Sequence, residues 1–248
     1  MQKIFIENKH MQDNKINITG EDVKHISNVL RMKPNDKIEV CNLGNNKNYL
    51  VQIEEIKKDI IITNIIEEKE QVNESNVKID LYQGLPKADK MELIIQKTTE
   101  IGISKIIPID MERCIVKLDE KESKKKIDRW QKIAEAAAKQ SKRDIIPVVE
   151  NKVKIKDIIK NIKKYDLFLI AYEEENTNTL KQELQSITGK EKYKIGILIG
   201  PEGGISIEEI ENLKNNGAKI VTLGKRILRC ETAPIVMTSN IMYELENK

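Results

Sequence analysis

The sequence is poor in the residues that mark several common protein classes. Its 248 residues include only three cysteines, Cys41, Cys114 and Cys230, which lie far apart and never in C-x-x-C spacing. Such spacing argues against a disulfide framework and against a zinc site, and it favours a reducing compartment. Aromatic residues make up 4% of the chain, so the hydrophobic core must consist mainly of Ile, Leu and Val.

Long apolar runs and a strong net charge are also missing. No apolar run approaches the ~20 residues that cross a bilayer, and the opening MQKIFIENKH lacks the apolar region of a signal peptide. We therefore expect a cytoplasmic protein. The net charge of +3 is too small to indicate nucleic-acid binding by itself, although lysines clustered on one face can still contact phosphates.

The first 70 residues favour a small β-rich unit. The runs KIFI, KIEVC, NYLVQIEEI and DIIITNII have the composition of strands and are separated by the turn signals KPND and LGNNKN. One helix is predicted from about Gly20 to Leu30, with Thr19 and Asp22 spaced as a variant capping box. Several short strands around one helix predict a small barrel.

The chain changes character at the polar stretch KEQVNESN, residues 69–76, where we expect a boundary between a first domain of residues 1–72 and a second of residues 73–248. From Val77 onward, strand and helix patterns alternate, which predicts a largely parallel sheet covered by helices. The predicted strands are VKIDLYQ, KIIPI, IIPVVE, DLFLIAY, IGILIG and KIVTLG.

Three signals mark helix ends in this second domain. Gly102 is expected to end the helix DKMELIIQKTTEIG at the position after its last turn. Ser206 and Glu209 form a capping box that begins a helix over 207–215, and Gly217 closes it.

Two unusual loops follow two of the predicted strands: GPEGG and LGKRILRCET. In an open α/β sheet, ligands bind outside the carboxyl ends of the strands, so these loops together predict a pocket. GPEGG has neither the lysine and hydroxyl of a P-loop nor G-x-G-x-x-G spacing. Two interpretations stay open: Gly203 and Gly204 serve a ligand or only permit a tight turn with positive φ, and Glu202 binds a ligand hydroxyl or cation or only favours the helix dipole.

The second loop mixes charged and apolar side chains. The apolar pair Ile227 and Leu228 is flanked in the chain by four charged residues, a mixture that suits a ligand groove: Lys225, Arg226, Arg229 and Glu231. The alternative is that the apolar pair belongs to the core and the charges face water. Its position beside GPEGG favours the pocket.

Six segments carry a resemblance to a known family: VLRMKPND, LPKADKMELIIQKTTEIG, ERCIVKL, WQKIAEAAAKQSKR, IGPEGGIS and LGKRILRCETA. They are spread over most of the chain, from Val29 to Ala233, and they resemble the bacterial small-subunit (16S) ribosomal RNA uridine N3-methyltransferases, of the SPOUT class of S-adenosylmethionine-dependent enzymes. The family more often has Thr where this chain has Cys230, a small-for-small change. The resemblance implies methylation of N3 of a specific uridine, and a role in rRNA processing and ribosome biogenesis.

The resemblance also implies a fold and an assembly. Similar proteins join a PUA-like RNA-binding barrel to a SPOUT parallel sheet whose C-terminal segment is threaded through a loop as a trefoil knot. Threading is very rare among folds, so the knot is an expectation from the family alone. Members act as homodimers in which the partner subunit completes the active site, and no metal is expected.

By position, the resemblance assigns a set of cofactor-loop residues, in which the glycines let the main chain approach adenosine and the leucines offer apolar contact. The predicted S-adenosylmethionine-binding residues are Leu198, Ile199, Gly200, Glu202, Gly203, Leu223, Gly224, Ile227, Leu228, Thr232 and Ala233.

Methylation of uridine N3 raises the question of a base. The nitrogen belongs to a weakly acidic imide, which must lose its proton to a base or have its developing anion stabilised by a cation. The two histidines, His10 and His25, fall in the predicted barrel and are poor candidates. We expect Glu231 to be the base and Arg229 to stabilise the anion or orient the base. Alternatively, Glu231 caps the last helix and Arg229 binds a phosphate or pairs across the dimer.

Basic residues in three segments are candidate RNA contacts. Lys87 and Lys90 flank a helix start, where cations do not favour the helix dipole, so phosphate contact is predicted instead. Arg31, Lys33 and Arg143 are assigned to RNA contact by family match. The runs KESKKK and KQSKR extend an RNA track or simply form a solvated helix face.

Two other functions remain open from sequence. One is a SPOUT methylase that acts on another RNA nucleoside, for example at a ribose hydroxyl. The other is a non-catalytic RNA-binding module with a degenerate cofactor domain, against which the intact GPEGG and RILRCET loops argue.

Overall fold

The computed structural model describes residues 3–246, which form two compact units. The N-terminal unit combines the chain up to Glu74 with the segment Ala138–Ile145, and the C-terminal unit contains Ser75–Ala137 and the chain from Ile146. The N-terminal unit is therefore discontinuous in sequence. Within residues 3–246, no helix has both the length and the apolar character that crossing a bilayer requires.

The N-terminal unit is a curled six-stranded sheet with the order β1-β4-β5-β6-β3-β2. Its β1–β4 pair is parallel and its other pairs are antiparallel. Register shifts between β5 and β6 mark bulges, which bend strands locally. The strands are β1 (Lys3–Ile6), β2 (Met11–Gln12), β3 (Lys15–Thr19), β4 (Lys37–Asn42), β5 (Lys47–Ile56) and β6 (Ile60–Lys69).

The core of this unit is aliphatic, as the shortage of aromatic residues predicts. Ile and Val side chains alternate inward along the strands and close over Ile26 of the single long helical segment. The innermost side chains are Ile4, Ile16, Ile18, Ile38, Val40, Val51 and Ile61.

The predicted helix from Gly20 to Leu30 is present, but its predicted cap is wrong. It consists of an α-helical turn, α1 (Glu21–Lys24), that continues as a π-helical turn, His25–Val29. Thr19 is the last residue of β3 and pairs with β6, and the N-cap residue of the helix is Gly20, which makes no side-chain capping bond. Asp22 instead accepts a hydrogen bond from Lys139 Nζ at 2.9 Å.

A buried polar cluster joins the segment 138–145 to the N-terminal sheet. Asp144 accepts hydrogen bonds from Lys3 Nζ, from Asn48 Nδ2 at 2.5 Å and from the backbone N–H of Asn73 at 2.9 Å. Glu74 accepts from the backbone N–H of Asp144 at 2.8 Å. Because buried polar groups need partners, these contacts fix the segment on this unit.

The C-terminal unit is a six-stranded sheet with the order β12-β10-β11-β7-β8-β9, and every neighbouring pair is parallel. The predicted parallel α/β sheet is thereby confirmed. The strands are β7 (Val77–Gly84), β8 (Lys105–Ile109), β9 (Val148–Val149), β10 (Leu167–Ala171), β11 (Tyr193–Ile199) and β12 (Lys219–Val221). The helices are α2 (Lys90–Ile101), α3 (Glu120–Gln140), α4 (Ile155–Ile159), α5 (Leu180–Gln185), α6 (Ile207–Asn215) and α7 (Thr232–Leu245).

Most of the predicted helix ends are confirmed. Gly102 has φ 119° and its N–H bonds back to the last turn of α2. The Ser206–Glu209 capping box begins α6, and Gly217, with φ 105°, follows its end. The sequence patterns did not identify α5, which is begun by a capping box of Thr179 and Gln182.

The strand order determines where the loops lie. Since β10 pairs with both β11 and β12 in parallel, the carboxyl ends of these three strands lie at one edge of the sheet. GPEGG follows β11, the loop that contains LGKRILRCET follows β12, and Tyr172 follows β10. All three loops therefore leave the sheet on the same side.

Candidate functional site

A cavity of about 410 Å³ lies at this edge of the C-terminal sheet. Its volume is within the ~300–1,000 Å³ range of small-molecule sites. The structure brings the GPEGG and LGKRILRCET loops together around it. The loop after β10 and the first residue of α2 complete the wall. The lining residues are Lys90, Ala171–Glu173, Asn176, Ile199–Glu202, Gly204, Ile205, Thr222–Cys230 and Ala233.

Two glycines of the cavity wall have backbone conformations that other residues rarely adopt. Gly204 has φ 72°, and a Cβ built there would lie 2.8 Å from Glu173 Oε1. Gly224 has φ 122°, and a Cβ built there would meet nothing within 4 Å. The positive φ favours glycine at 204, where the flexible Glu173 side chain could move aside, whereas Gly224 leaves open space in the wall of a cavity, where a ligand can approach the main chain.

Glu202 connects the GPEGG loop to the start of α2. Its Oε1 accepts hydrogen bonds from the backbone N–H of Lys87 at 3.0 Å and pairs with Lys90 Nζ at 2.9 Å. Burial alone would raise the pKa of Glu202, but the bonds from Lys90 and Lys87 outweigh it and lower that pKa. Glu202 therefore stays ionised and its charge faces Lys90.

Glu231 belongs to the same charged cluster. Its Oε2 lies 3.3 Å from Lys90 Nζ and 3.3 Å from Cys230 Sγ. Burial would raise the pKa of Glu231, but hydrogen bonds, including those of Cys230 and Lys90, lower it overall. Hydrogen bonding to Glu202 is the main cause of a raised Lys90 pKa. At neutral pH the cluster holds one ammonium between two carboxylates.

Cys230 carries a thiol rather than a thiolate. Burial, together with the neighbouring Glu231 carboxylate, raises the pKa of Cys230 to about 12. The thiol can therefore donate to Glu231 Oε2 across the physiological range. Glu231 is also the N-cap residue of α7, yet its side chain makes no capping hydrogen bond. The alternative in which Glu231 serves as a helix cap is not what the structure shows.

Apolar side chains of the loop after β12 contribute to the cavity wall, and some of them also pack on the hydrophobic core. Leu223 and Leu228 line the cavity and also pack on the hydrophobic core. Ile227 lines the cavity and is 84% exposed as a residue, which is unusual for isoleucine. Arg229 lines the cavity as well.

Other predicted cofactor residues lie just behind the cavity wall. Leu198 is fully buried in β11, immediately before the lining residue Ile199. The carbonyl of Gly203 accepts a hydrogen bond from Arg113 Nη1 at 3.3 Å. Thr232 is the first residue of α7, and Ala233, next to it, lines the cavity.

The predicted RNA contacts fall into three settings. Arg31 and Lys33 are exposed on the turn before β4 in the N-terminal unit, and Lys87 is exposed before α2 in the C-terminal unit. Lys90 lines the cavity in its carboxylate pair. Arg143 has a side chain only 5% exposed and pairs with Glu74 at 2.6 Å, so its positive charge is paired within the N-terminal unit.

The sequence interpretation missed the contribution of the loop after β10. Tyr172, Glu173 and Asn176 line the cavity beside Ala171, the last residue of β10. The rule that pointed to the other two loops applies here too, because β10 is also a parallel strand. The acidic run EEEN after DLFLIAY was the available signal.

The fold and the site together define a class of protein. One unit is a curled β-sheet, and the other is a parallel α/β sheet with a small-molecule cavity at its carboxyl edge. Within residues 3–246 no group of His, Cys, Asp and Glu side chains is arranged to hold a metal ion.

Comparison with family models identifies this class. The model described as an RNA methyltransferase domain matches residues 73–242, and the model described as an RNA methyltransferase PUA domain matches residues 18–66. The chain belongs to the RNA methyltransferase family. The family resemblance inferred from the six sequence segments is thereby confirmed.

Individual relatives are similar over nearly their whole length. Ribosomal RNA small subunit methyltransferase E of Bacillus subtilis is 37% identical over 251 residues, covering 99% of this chain and 98% of the relative. A methyltransferase from Legionella pneumophila, solved with the bound cofactor SAM, has a TM-score of 0.84 at 31% identity, covering 97% of this chain and 96% of that one. Ribosomal RNA small subunit methyltransferase E from Neisseria gonorrhoeae, solved with S-adenosyl methionine, has a TM-score of 0.84 at 27% identity, covering 99% and 98%.

Proposed function

We propose that the protein is an S-adenosylmethionine-dependent methyltransferase that modifies N3 of a uridine in small-subunit ribosomal RNA. The observation that carries the proposal is the cavity that GPEGG and LGKRILRCET form together, in a chain similar over 99% of its length to a small subunit methyltransferase E. The N3 position and the uridine come from the family resemblance of the sequence segments.

The cavity suits this cofactor in size and in chemistry. Gly200 and Gly224 offer main chain without side chains, and Ile199, Leu223 and Leu228 offer apolar surface for an adenine ring. Glu202, Ile227 and Ala233 complete the proposed binding set, with Leu198, Gly203 and Thr232 supporting it from behind. When bound, S-adenosylmethionine supplies a methyl group that is attached to a positively charged sulfur. After the methyl group is transferred, that sulfur is left in a neutral thioether.

The chain's own residues must handle the N3 proton. Glu231 is ionised at neutral pH and directly follows the cavity-lining residue Cys230 in the chain, so it is the proposed proton acceptor. Arg229 lines the cavity and is the proposed cation that stabilises negative charge developing on the uracil ring. Holding acceptor and donor in line supplies much of the remaining rate enhancement.

The proposed RNA contacts are exposed cations on both units. Arg31 and Lys33 on the N-terminal unit, which includes the match to the PUA domain model, and Lys87 on the C-terminal unit can each meet a phosphate. Arg143 is left out because it is buried with Glu74. Small-subunit ribosomal RNA as substrate places the reaction in the cytoplasm.

The proposal extends to two finer features of the fold. The first is a trefoil knot in the C-terminal segment. The knot would lie within a SPOUT domain of residues 73–248, which follows a PUA-like barrel of residues 1–72. Its support is that α7 follows the loop after β12 directly and packs against β7 and β11. The second is a homodimer. Its support is that Leu93 on α2 and Tyr243 on α7 are exposed, although these two helices pack on each other. Sedimentation at micromolar concentration tests the dimer, and a monomeric mass contradicts it.

The experiment that tests the function is direct. The protein is incubated with methyl-labelled S-adenosylmethionine and either assembled small subunits or naked small-subunit RNA, and the modified nucleoside is identified by mass spectrometry. N3-methyluridine at one position is expected. Label at a ribose hydroxyl or at another base contradicts the proposal, and so does the absence of transfer to both substrates, which would indicate an RNA-binding module.

A further inference from the structure

Lys90 joins three segments of the C-terminal unit at the wall of the cavity. It is the first residue of α2, and its Nζ lies 2.9 Å from Glu202 Oε1 in the GPEGG loop and 3.3 Å from Glu231 Oε2 in the loop after β12. Its side chain is 30% exposed, so it is neither buried in the core nor extended into solvent. From the sequence we expected it to contact phosphate.

The positive charge of Lys90 would be energetically unfavourable at this position without its two carboxylate partners. A positive charge at the first residue of a helix opposes the helix dipole. Two carboxylates that share a site without a cation repel each other, and one of them takes up a proton. Lys90 and the pair of Glu202 and Glu231 therefore stabilise one another's charged forms.

The groups that face Glu231 make its dependence on Lys90 specific. Lys90 comes from α2 and Cys230 from the same loop as Glu231, and both contacts fall on Oε2. Glu202 reaches the cluster through Lys90. Because the Cys230 thiol is neutral, Lys90 is the positive charge in direct contact with Glu231 among these groups.

We propose that Lys90 is a positioning residue for methyl transfer: it fixes the Glu231 carboxylate, next to the cavity-lining residue Cys230, in the ionised form that accepts the substrate proton. This inference rests on the function proposed above. In the step concerned, the N3–H bond of uridine breaks, the proton passes to a carboxylate oxygen of Glu231, and the electron pair stays on N3. That pair forms the N–CH3 bond while the methyl–sulfur bond of the donor breaks, and the electrons of the broken bond stay on the sulfur of the departing neutral thioether.

The proposal differs from a phosphate-binding role in its consequences. A phosphate contact contributes to RNA affinity and to its salt dependence, and its loss leaves the rate at saturating RNA unchanged. A positioning residue acts on the rate at saturating substrate, since a misplacement of about 1 Å costs about 100-fold. It also sets the pH at which Glu231 loses its proton.

The test compares Lys90→Met, Lys90→Arg and a control, Lys97→Met, on the full-length protein. Lys97 is on the same helix and pairs with Glu100 three residues on, away from the cavity lining. For each variant, kcat, KM for RNA and cofactor, the pH profile of kcat and cofactor affinity by calorimetry are measured. The wild-type protein is shown first to form N3-methyluridine, so failure of the proposed function is recognised before any variant is interpreted.

Lys90→Met is expected to lower kcat about 10- to 100-fold, with cofactor affinity retained. The acidic limb of the kcat profile is expected to move to higher pH, because loss of the ammonium removes one cause of the lowered Glu231 pKa. Lys90→Arg is expected to restore most of kcat and the original limb, and Lys97→Met to match the wild type. An unchanged kcat and unchanged acidic limb in Lys90→Met, with only the RNA KM or the salt dependence altered, would overturn the proposal.

Discussion

Lys3 and Asp144 form an ion pair inside the N-terminal unit although 141 residues separate them in the chain. Their side chains are 3% and 0% exposed. Asn48 and the backbone N–H of Asn73 donate to the same carboxylate, so both oxygens of Asp144 accept hydrogen bonds. The stability of this unit therefore depends on a residue that comes after the predicted domain boundary.

Asp144→Ala is expected to destabilise the N-terminal unit by about 3–5 kcal/mol, because it leaves Lys3 as a buried charge without its partner. Denaturant unfolding monitored by a probe in this unit measures the loss. Glu7→Ala is the matched control, since Glu7 pairs with Lys9 on the surface of the same unit and exposed pairs contribute little. A change in Asp144→Ala no larger than that in the control would show that the pair is not structural.

The same carboxylate gives a pH dependence of stability. Burial alone would raise the pKa of Asp144, but the hydrogen bonds from Lys3, Asn73 and Asn48 lower it overall. A carboxyl whose pKa is lower in the folded state stabilises the fold above its unfolded pKa, about 3.9, and this contribution is lost as pH falls toward the folded pKa. Acid unfolding is expected to begin at higher pH in Asp144→Asn than in the wild type. Superimposable acid titrations of the two proteins would contradict this.

Glu231→Gln is expected to lower the methylation rate about 10²- to 10⁴-fold, the range for loss of a general base. Cofactor affinity is expected to stay near the wild-type value, because the proposed contacts with the cofactor come from other residues. Glu211→Gln, at an exposed position on α6, is the control. Methylation by Glu231→Gln at the rate of the control would remove Glu231 from the mechanism.

Gly224→Ala, compared with a matched glycine variant, tests whether the ligand contacts the main chain at Gly224, as distinct from the effect of backbone strain. Its φ of 122° makes alanine strained, at a cost of about 1–3 kcal/mol, and the new methyl group would meet no protein atom within 4 Å at a residue that lines the cavity. Gly189→Ala is matched, since Gly189 has φ 95° with nothing within 4 Å and is outside the cavity lining. Both variants are expected to lose similar stability, whereas only Gly224→Ala weakens cofactor binding, by at least about tenfold. Equal cofactor affinities would argue that the main chain at Gly224 does not approach the ligand.

RNA affinity is expected to fall steeply with salt if exposed cations meet phosphates. Arg31→Ala should reduce the slope of log affinity against log salt by about 1. Arg143→Ala is the contrasting variant, because Arg143 pairs with Glu74 and its loss should lower stability rather than the salt slope. A slope that Arg31→Ala leaves unchanged would exclude Arg31 from the RNA contacts.

Much of the fold could be predicted from the sequence, because the signals were local. The run IGILIG, the capping residues Ser206 and Glu209 and the glycine at 217 are all close in the chain, and all were confirmed. The parallel sheet followed from the alternation of strands and helices. The location of the cavity followed from the rule for carboxyl ends of parallel strands.

The errors and omissions concern contacts between residues far apart in the chain. Threonine is a residue type that often caps helices, but in the structure Thr19 pairs with Ile60 in the sheet. The place of Asp144 in the N-terminal unit depends on Lys3 and Asn48, which no local pattern relates to it. Lys90 was assigned to phosphate on its helix position alone, whereas two distant glutamates determine its surroundings.

The central claim is that S-adenosylmethionine binds between the loops that follow β11 and β12. A crystal structure of the protein with S-adenosylmethionine or its demethylated product tests this claim most directly. We predict ligand density against the main chain of Gly200 and Gly224, with the adenine ring beside Leu223 and Leu228. Density at a different place on the protein, or an empty cavity at saturating ligand, would contradict the account.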